Sequence, residues 1–234
     1  EGYEVTLLSP DSTGAISVDA VREALREDTA LVTLMMVNNE TGAVTDISGV
    51  ARALRAAKSK ALLHTDAVQG FMKEPFSAKT LGADMISVSG HKVHAPKGIG
   101  ALYIRQGLKL PAHILGGGQE EGMRSGTEPM PQIAAFGEAV RIAKAEMPEA
   151  NKRMEALRAQ CVQTLTDTVP DIVFLGGGSA HILSLSLPGY RSEVLMNYLE
   201  AKGIYVSKSS ACKRGKRSHV LEAMGVDAAW IDGS

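Results

Sequence analysis

Apolar positions in the first hundred residues follow two alternating periods. Val18, Val21, Ala24 and Leu25 recur at helical spacing behind Ser17, a residue suited to an N-cap. The run "ALVTLMMV" (30–37) is continuously apolar, as expected of a strand buried on both faces. "DISGVARALRAAKSK" (46–60) returns to the pattern of an amphipathic helix. "ALLHTD" (61–66), "ADMISVS" (83–89) and "IGALYI" (99–104) are short strand patterns, and "YEVTLLS" (3–9) predicts another. Strand and helix alternating at this spacing predict an α/β domain with a mainly parallel sheet.

The texture changes after Thr127. Residues 129–168 predict helix, with a break near Met147-Pro148. In its second part Met154, Leu157, Cys161 and Leu165 form one stripe, expected to be buried. "HILSLSLP" (181–188) alternates like a half-buried strand, "RSEVLMNYLEAKG" (191–203) reads as helix and "IYVS" (204–207) as strand. The whole divides into a large domain over 1–140 and a smaller α+β domain over 141–234, joined through a helix.

Composition narrows the class of partner. With 25 basic and 26 acidic residues among 234, the net charge of −1 gives no reason to expect nucleic acid or an anionic membrane. No apolar run approaches the ~18 residues of a membrane span, and no signal-peptide pattern is present. The two cysteines, Cys161 and Cys212, are too far apart in sequence for a CxxC metal site and too few for a disulfide framework. A reducing cytoplasm is the expected compartment. Glycine runs at 116–118 and 176–178 lack the continuation of a phosphate-binding motif and read as turns. His94, His113 and His219 have no metal-ligand spacing.

Candidate chemistry gathers at three strand ends. "MMV" leads into Asn38, Asn39 and Glu40; "LLHT" into Asp66 and Gln69; "MISV" into Ser89, Gly90, His91 and Lys92. Ligands of open α/β sheets bind at the carboxyl ends of strands. Taken singly, Lys92 reads as a surface loop lysine and Asp66 as a helix N-cap. Taken together, an amine, a carboxylate and small phosphate-binding residues fit pyridoxal 5'-phosphate. Lysine can form its Schiff base, and a carboxylate can keep its ring nitrogen protonated. A phosphate site of the P-loop kind competes with this reading.

Five stretches then carry a resemblance: "VNNETGAVTDI", "HTDAVQ", "SGHKVHAPKGIGALYI", "GGGQEEGMRSGTE" and "SSAC" followed by "SHVLEAMG". In order and spacing the chain resembles the cysteine desulfurases of the NifS/IscS kind, within the class V aminotransferases of fold-type I. The resemblance implies an incomplete large domain of the aspartate aminotransferase-like kind. It implies that Lys92 binds the cofactor and moves the substrate Cα proton, that Asp66 pairs with the pyridinium, and that Gln69 meets the ring oxygen. Asn39 would touch that oxygen or the substrate carboxylate, Ser89 and His91 would hold phosphate, and Thr127 would reach the phosphate of a second subunit in a homodimer. Cys212 would take sulfur from L-cysteine as a persulfide, releasing alanine, and pass it to an acceptor such as an iron–sulfur scaffold.

Composition supports part of this. Lys208, Lys213, Arg214, Lys216 and Arg217 surround Cys212, and cations favour a thiolate. An ordinary cysteine beside a solvated charge run is the competing reading, whereas Cys161 is expected in the core. The resemblance further implies a fragment: family members are longer, with a ring-stacking histidine before Glu1 and a carboxylate-binding arginine after Ser234. Little activity is expected of this length alone. A class V aminotransferase or selenocysteine lyase would share Asp66 and Lys92; the aminotransferase would not need Cys212. A non-catalytic scaffold for sulfur acceptors would bind no cofactor and be colourless.

Overall fold

The computed structural model describes residues 2–208 and 217–234. Cys212 and most of its basic neighbours lie outside the described residues. The elements run α1 (Val18–Ala24), β1 (Leu31–Met35), α2 (Ile47–Ala56), β2 (Leu62–Asp66), α3 (Ala78–Leu81), β3 (Met85–Ser89), a 3-10 turn (Gly90–Val93) and β4 (Gly100–Ile104). A second 3-10 turn (Glu120–Gly122) precedes α4 (Met130–Thr168), β5 (Val173–Phe174), β6 (Leu185–Ser186), α5 (Ser192–Glu200), α6 (His219–Ala223) and α7 (Ala228–Asp232).

The main sheet has the order β1-β2-β3-β4. β1 and β2 are parallel, as are β2 and β3, while β4 returns antiparallel to β3. Helical starts are locally determined. Ser17 accepts from the Ala20 amide and Asp46 from the Gly49 amide, so both side chains satisfy N–H groups that the helix leaves unpaired. The apolar faces of α1 and α2 bury Val21, Ile47, Val50 and Leu54 with Leu63 and Ile86 of the sheet. Each such side chain contributes roughly 1.5–3 kcal/mol when fully buried.

Several expectations change in three dimensions. Residues 3–9 form no strand: Tyr3, Val5 and Leu7 are exposed, and no neighbouring strand supplies a ladder. β1 is an edge strand, so its apolar run is covered less than expected, and Leu31 is 50 % exposed. "IYVS" is likewise exposed and is not part of a strand among the described residues, and "HILSLSLP" contributes only Leu185–Ser186, paired with β5. Helix α4 passes through Pro148 without a break. One missing amide costs one hydrogen bond, and several turns on each side carry the helix through. The stripe along α4 is half-buried and runs through Asn151, Met154, Arg158, Val162 and Leu165. Leu157 and Cys161 lie off it and are exposed, so Cys161 is not a core residue.

Asp84 ties the amino ends of β2 and β3 to the carboxyl end of the antiparallel β4. Its Oδ2 accepts from the buried Leu63 amide at 2.8 Å, and its Oδ1 from Arg105 Nε at 2.6 Å. We expect Asp84→Ala to lose about 1–3 kcal/mol in urea unfolding, because the Leu63 amide is left unpaired. Asp84→Asn keeps an acceptor and should lose clearly less, the exposed Arg105 charge being largely screened. Equal losses would assign the effect to the ion pair instead.

Candidate active site

Parallel pairing brings three strand ends to one edge. Met35 pairs with Asp66, and Asp66 with Ser87, two residues before Ser89. Asp66 is the last residue of β2, and its Oδ1 accepts from the Val68 amide at 2.9 Å, which orients the carboxylate. The turn that follows crosses close over the core. A Cβ on Gly70 would come within 2.5 Å of Met36 Sδ, so a side chain there would push the turn off the sheet. This tight turn places Gln69, itself buried.

The "SGHK" segment has its own logic. Gly90 is buried and donates to Ile99 O, while its own carbonyl accepts from the Ala95 amide. A Cβ on Gly90 would meet Ile99 Cγ2 at 2.8 Å. The close approach folds the 3-10 turn back over the segment leading to β4, with Lys92 half-buried upon it. His91 is exposed, and its Nδ1 lies 2.7 Å from Ser89 Oγ. The hydroxyl and ring therefore form one polar pair beside Lys92.

The two asparagines separate clearly. Asn38 Oδ1 accepts from the Glu40 and Thr41 amides at 2.9 and 3.0 Å, which closes the loop after β1. Asn39 is exposed and lines a cavity of about 400 Å³ with Glu40, His181, Leu185, Lys208 and Ser218. Glu40 and Ser218 share a short hydrogen bond across this cavity. Thr127 stands exposed before α4, and among the described residues no hydrogen bond links it to Asp66, Ser89, His91 or Lys92. A separate concavity of about 460 Å³ at the opposite end of the sheet is lined by Lys60, Lys79, Asp84 and Arg105 and contains none of the strand-end set.

Three residues beyond the expected set join this edge. Lys73 Nζ donates to the Lys92 carbonyl at 2.7 Å, and Asn151 of α4 donates to the Lys73 carbonyl at 2.6 Å. Burial, then the Lys92 charge, lowers the pKa of Lys73. His64 bridges three strands, with Nδ1 2.7 Å from Thr33 Oγ1 and Nε2 2.8 Å from Ser87 Oγ. Burial lowers its pKa, opposed by Asp66. His181 lies 2.7 Å from Ser179 Oγ through Nδ1 and 3.4 Å from Gln69 Oε1 through Nε2. The alternation His64, Asp66 along β2 was a usable signal in the sequence, since residues two apart share a face. For Lys73 and His181 no such signal existed, because their partners are distant in the chain.

With this geometry in hand, relatives can be compared. The model of the aminotransferase class-V family matches residues 1–227, and the chain belongs to that family. It is 41% identical over 239 residues to "Cysteine desulfurase 2" of Trichormus variabilis, covering 100% of this chain and 59% of that protein. It is 43% identical over 235 residues to "Cysteine desulfurase IscS" of Tolumonas auensis, covering 97% and 57%. A solved structure described as a NifS-like protein superposes with a TM-score of 0.90 at 39% identity, over 99% of this chain and 61% of that one. The chain thus spans less than two thirds of the relatives it matches. The comparison supports the expected fold, an incomplete fold-type I unit with a mostly parallel sheet.

The electrostatics of His181 make a measurable prediction. Burial first, then the Lys73 and Lys92 charges, lowers its pKa from 6.5 to about 4. The unfolded chain therefore takes up this proton near pH 6.5, and the folded protein only near pH 4. The stability linked to His181 is fully present above 6.5 and is lost as pH falls toward 4. Urea unfolding at stepped pH should show a steeper loss across this window for the wild type than for His181→Asn. Parallel curves would show that the ring titrates alike in both states.

Proposed function

We propose that the protein acts as a pyridoxal phosphate-dependent cysteine desulfurase. The observation that carries this is the parallel register of β1, β2 and β3, which sets the Asp66 carboxylate beside the Ser89–Lys92 segment at one sheet edge. The donor set fits the cofactor: a carboxylate for a pyridinium, a buried amide at Gln69, a hydroxyl–imidazole pair for phosphate and a half-buried amine. When bound, the cofactor supplies an electron sink for charge developing at the substrate Cα.

The chain's residues then have distinct tasks. Lys92 would hold the cofactor aldehyde and would move the Cα proton. Asp66 keeps the pyridinium charged, Ser89 and His91 bind phosphate, and Asn39 with Gln69 orient the ring oxygen and the substrate. The Cys212 thiolate attacks the sulfur of L-cysteine. A Cys212 S–S bond forms, the substrate Cβ–S bond breaks, and a proton completes L-alanine. Sulfur leaves as a persulfide for an acceptor protein. Thr127 serves a partner subunit's phosphate in a homodimer, and a boundary near residue 140, inside α4, separates the large and small domains. The relatives named cysteine desulfurases support this reading over that of an aminotransferase.

Borohydride reduction followed by peptide mapping should place the cofactor on Lys92; a label on Lys97 would refute the assignment. In a full-length protein carrying this chain, Asp66→Ala should fold yet lose nearly all turnover, since the electron sink is removed; near-normal turnover would remove Asp66 from the mechanism. Because Cys161 is exposed, its own thiol is open to reaction, and mass spectrometry must assign the sulfur. After incubation with L-cysteine the one-sulfur increment should fall on the Cys212 peptide. An increment on the Cys161 peptide alone would overturn the sulfur-transfer step.

A further inference from the structure

A chain of hydrogen bonds runs from Glu74 to Gln69 through residues far apart in sequence. Ser179 Oγ donates to Glu74 Oε1 at 2.5 Å and lies 2.7 Å from His181 Nδ1. His181 Nε2 faces the amide of Gln69 at 3.4 Å. Ser179 is fully buried, His181 half-buried and Gln69 buried, so solvent does not compete freely for these groups.

The donors and acceptors can be assigned in turn. A carboxylate only accepts, so the single proton of the Ser179 hydroxyl is committed to Glu74. Ser179 must then accept from His181, which puts the imidazole proton on Nδ1. The ring is held neutral by burial and by the Lys73 and Lys92 ammoniums near it; Glu74, the nearby carboxylate, is occupied by Ser179. A neutral ring protonated at Nδ1 presents a lone pair at Nε2. Two lone pairs cannot bond, so the Gln69 amide must turn its nitrogen toward the ring. A half-turn of the amide exchanges its nitrogen and oxygen without moving the backbone.

We propose that His181 is a positioning residue: the Glu74–Ser179–His181 chain fixes which way the Gln69 amide points. One amide proton is given to His181, and the second stays available as a donor. Gln69 thereby keeps one fixed amide orientation, its second N–H being the one donor left for an oxygen acceptor at the strand-end site. The acceptor would be the ring oxygen of pyridoxal phosphate, and this part of the inference rests on the proposed function. His181 touches neither cofactor nor substrate in this role.

Two measurements on one nitrogen-15-labelled sample test it. Long-range proton–nitrogen correlation spectra of the protein without cofactor should show His181 protonated at Nδ1 and bare at Nε2 at neutral pH. Ser179→Ala should shift that tautomer balance toward Nε2. A ring that is charged, or protonated at Nε2, in the wild type overturns the inference. Titration with pyridoxal phosphate, followed by its visible absorption, then supplies the second readout. His181→Ala should weaken cofactor binding about tenfold, the effect of one well-placed hydrogen bond, and shift the absorption band. The Gln69→Ala and His181→Ala effects should not add in the double variant, since both remove the same contact. Fully additive losses overturn the inference. Failure of the wild type to take up any pyridoxal phosphate would sink the cofactor reading, while the tautomer spectra on the same sample would still decide the hydrogen-bond chain.

Discussion

The half-buried ammonium of Lys73, donating to the carbonyl of Lys92, is the contact on which the candidate site depends. It fixes the 3-10 turn from the side, and its own backbone carbonyl is held by Asn151 of α4. One residue further, Glu74 binds Ser179, which packs against the loop after β1 through its amide and the Gly42 carbonyl. The turn after β2 therefore meets the Lys92 segment, the long helix and the C-terminal unit within two residues. Burying an ammonium is costly unless it is paired, and a carbonyl partner keeps it in place without neutralising it.

Glycines make these approaches possible where no side chain would fit. At Gly176 the backbone has φ of +69°, and a Cβ would meet Thr41 Cβ at 2.7 Å. The loop can therefore close on the segment after β1, and Ala43 forms a bridge with Gly178. At this point the contact between the two parts is built from backbone and small side chains, and Ile182 adds an apolar contact to the N-terminal core. The smaller cluster around Leu175, Leu221 and Ile231 gives that unit an apolar centre of its own.

The polar residues at this edge divide into those that close the backbone of their own loops and those whose side chains stand outward or half-covered. Asn38, one Asp66 oxygen and Gly90 serve the loops on which they stand. Asn39, His91 and the Lys92 side chain are presented outward or half-covered beside them. Adjacent residues thus have opposite tasks, as in the pair Asn38 and Asn39. A strained or close-packed backbone supplies the rigidity that such a site requires.

By itself the sequence determined the α/β alternation, the helix cap at Ser17, and the three polar strand ends. These depend on local periodicity and on side chains acting within a few residues. Family motifs carried the expected roles of Asp66 and Lys92 for the same reason, being contiguous. Only the tertiary structure decided that "YEVTLLS" and "IYVS" are not strands among the described residues, since a strand exists only when another chain segment pairs with it. It alone placed Cys161 on the exposed side of α4, because the buried stripe follows what the helix packs against rather than where apolar residues recur. It alone joined Lys73 to Lys92 and His181 to Gln69. The latter pair lies 112 positions apart in the chain, and no local rule reaches across that distance.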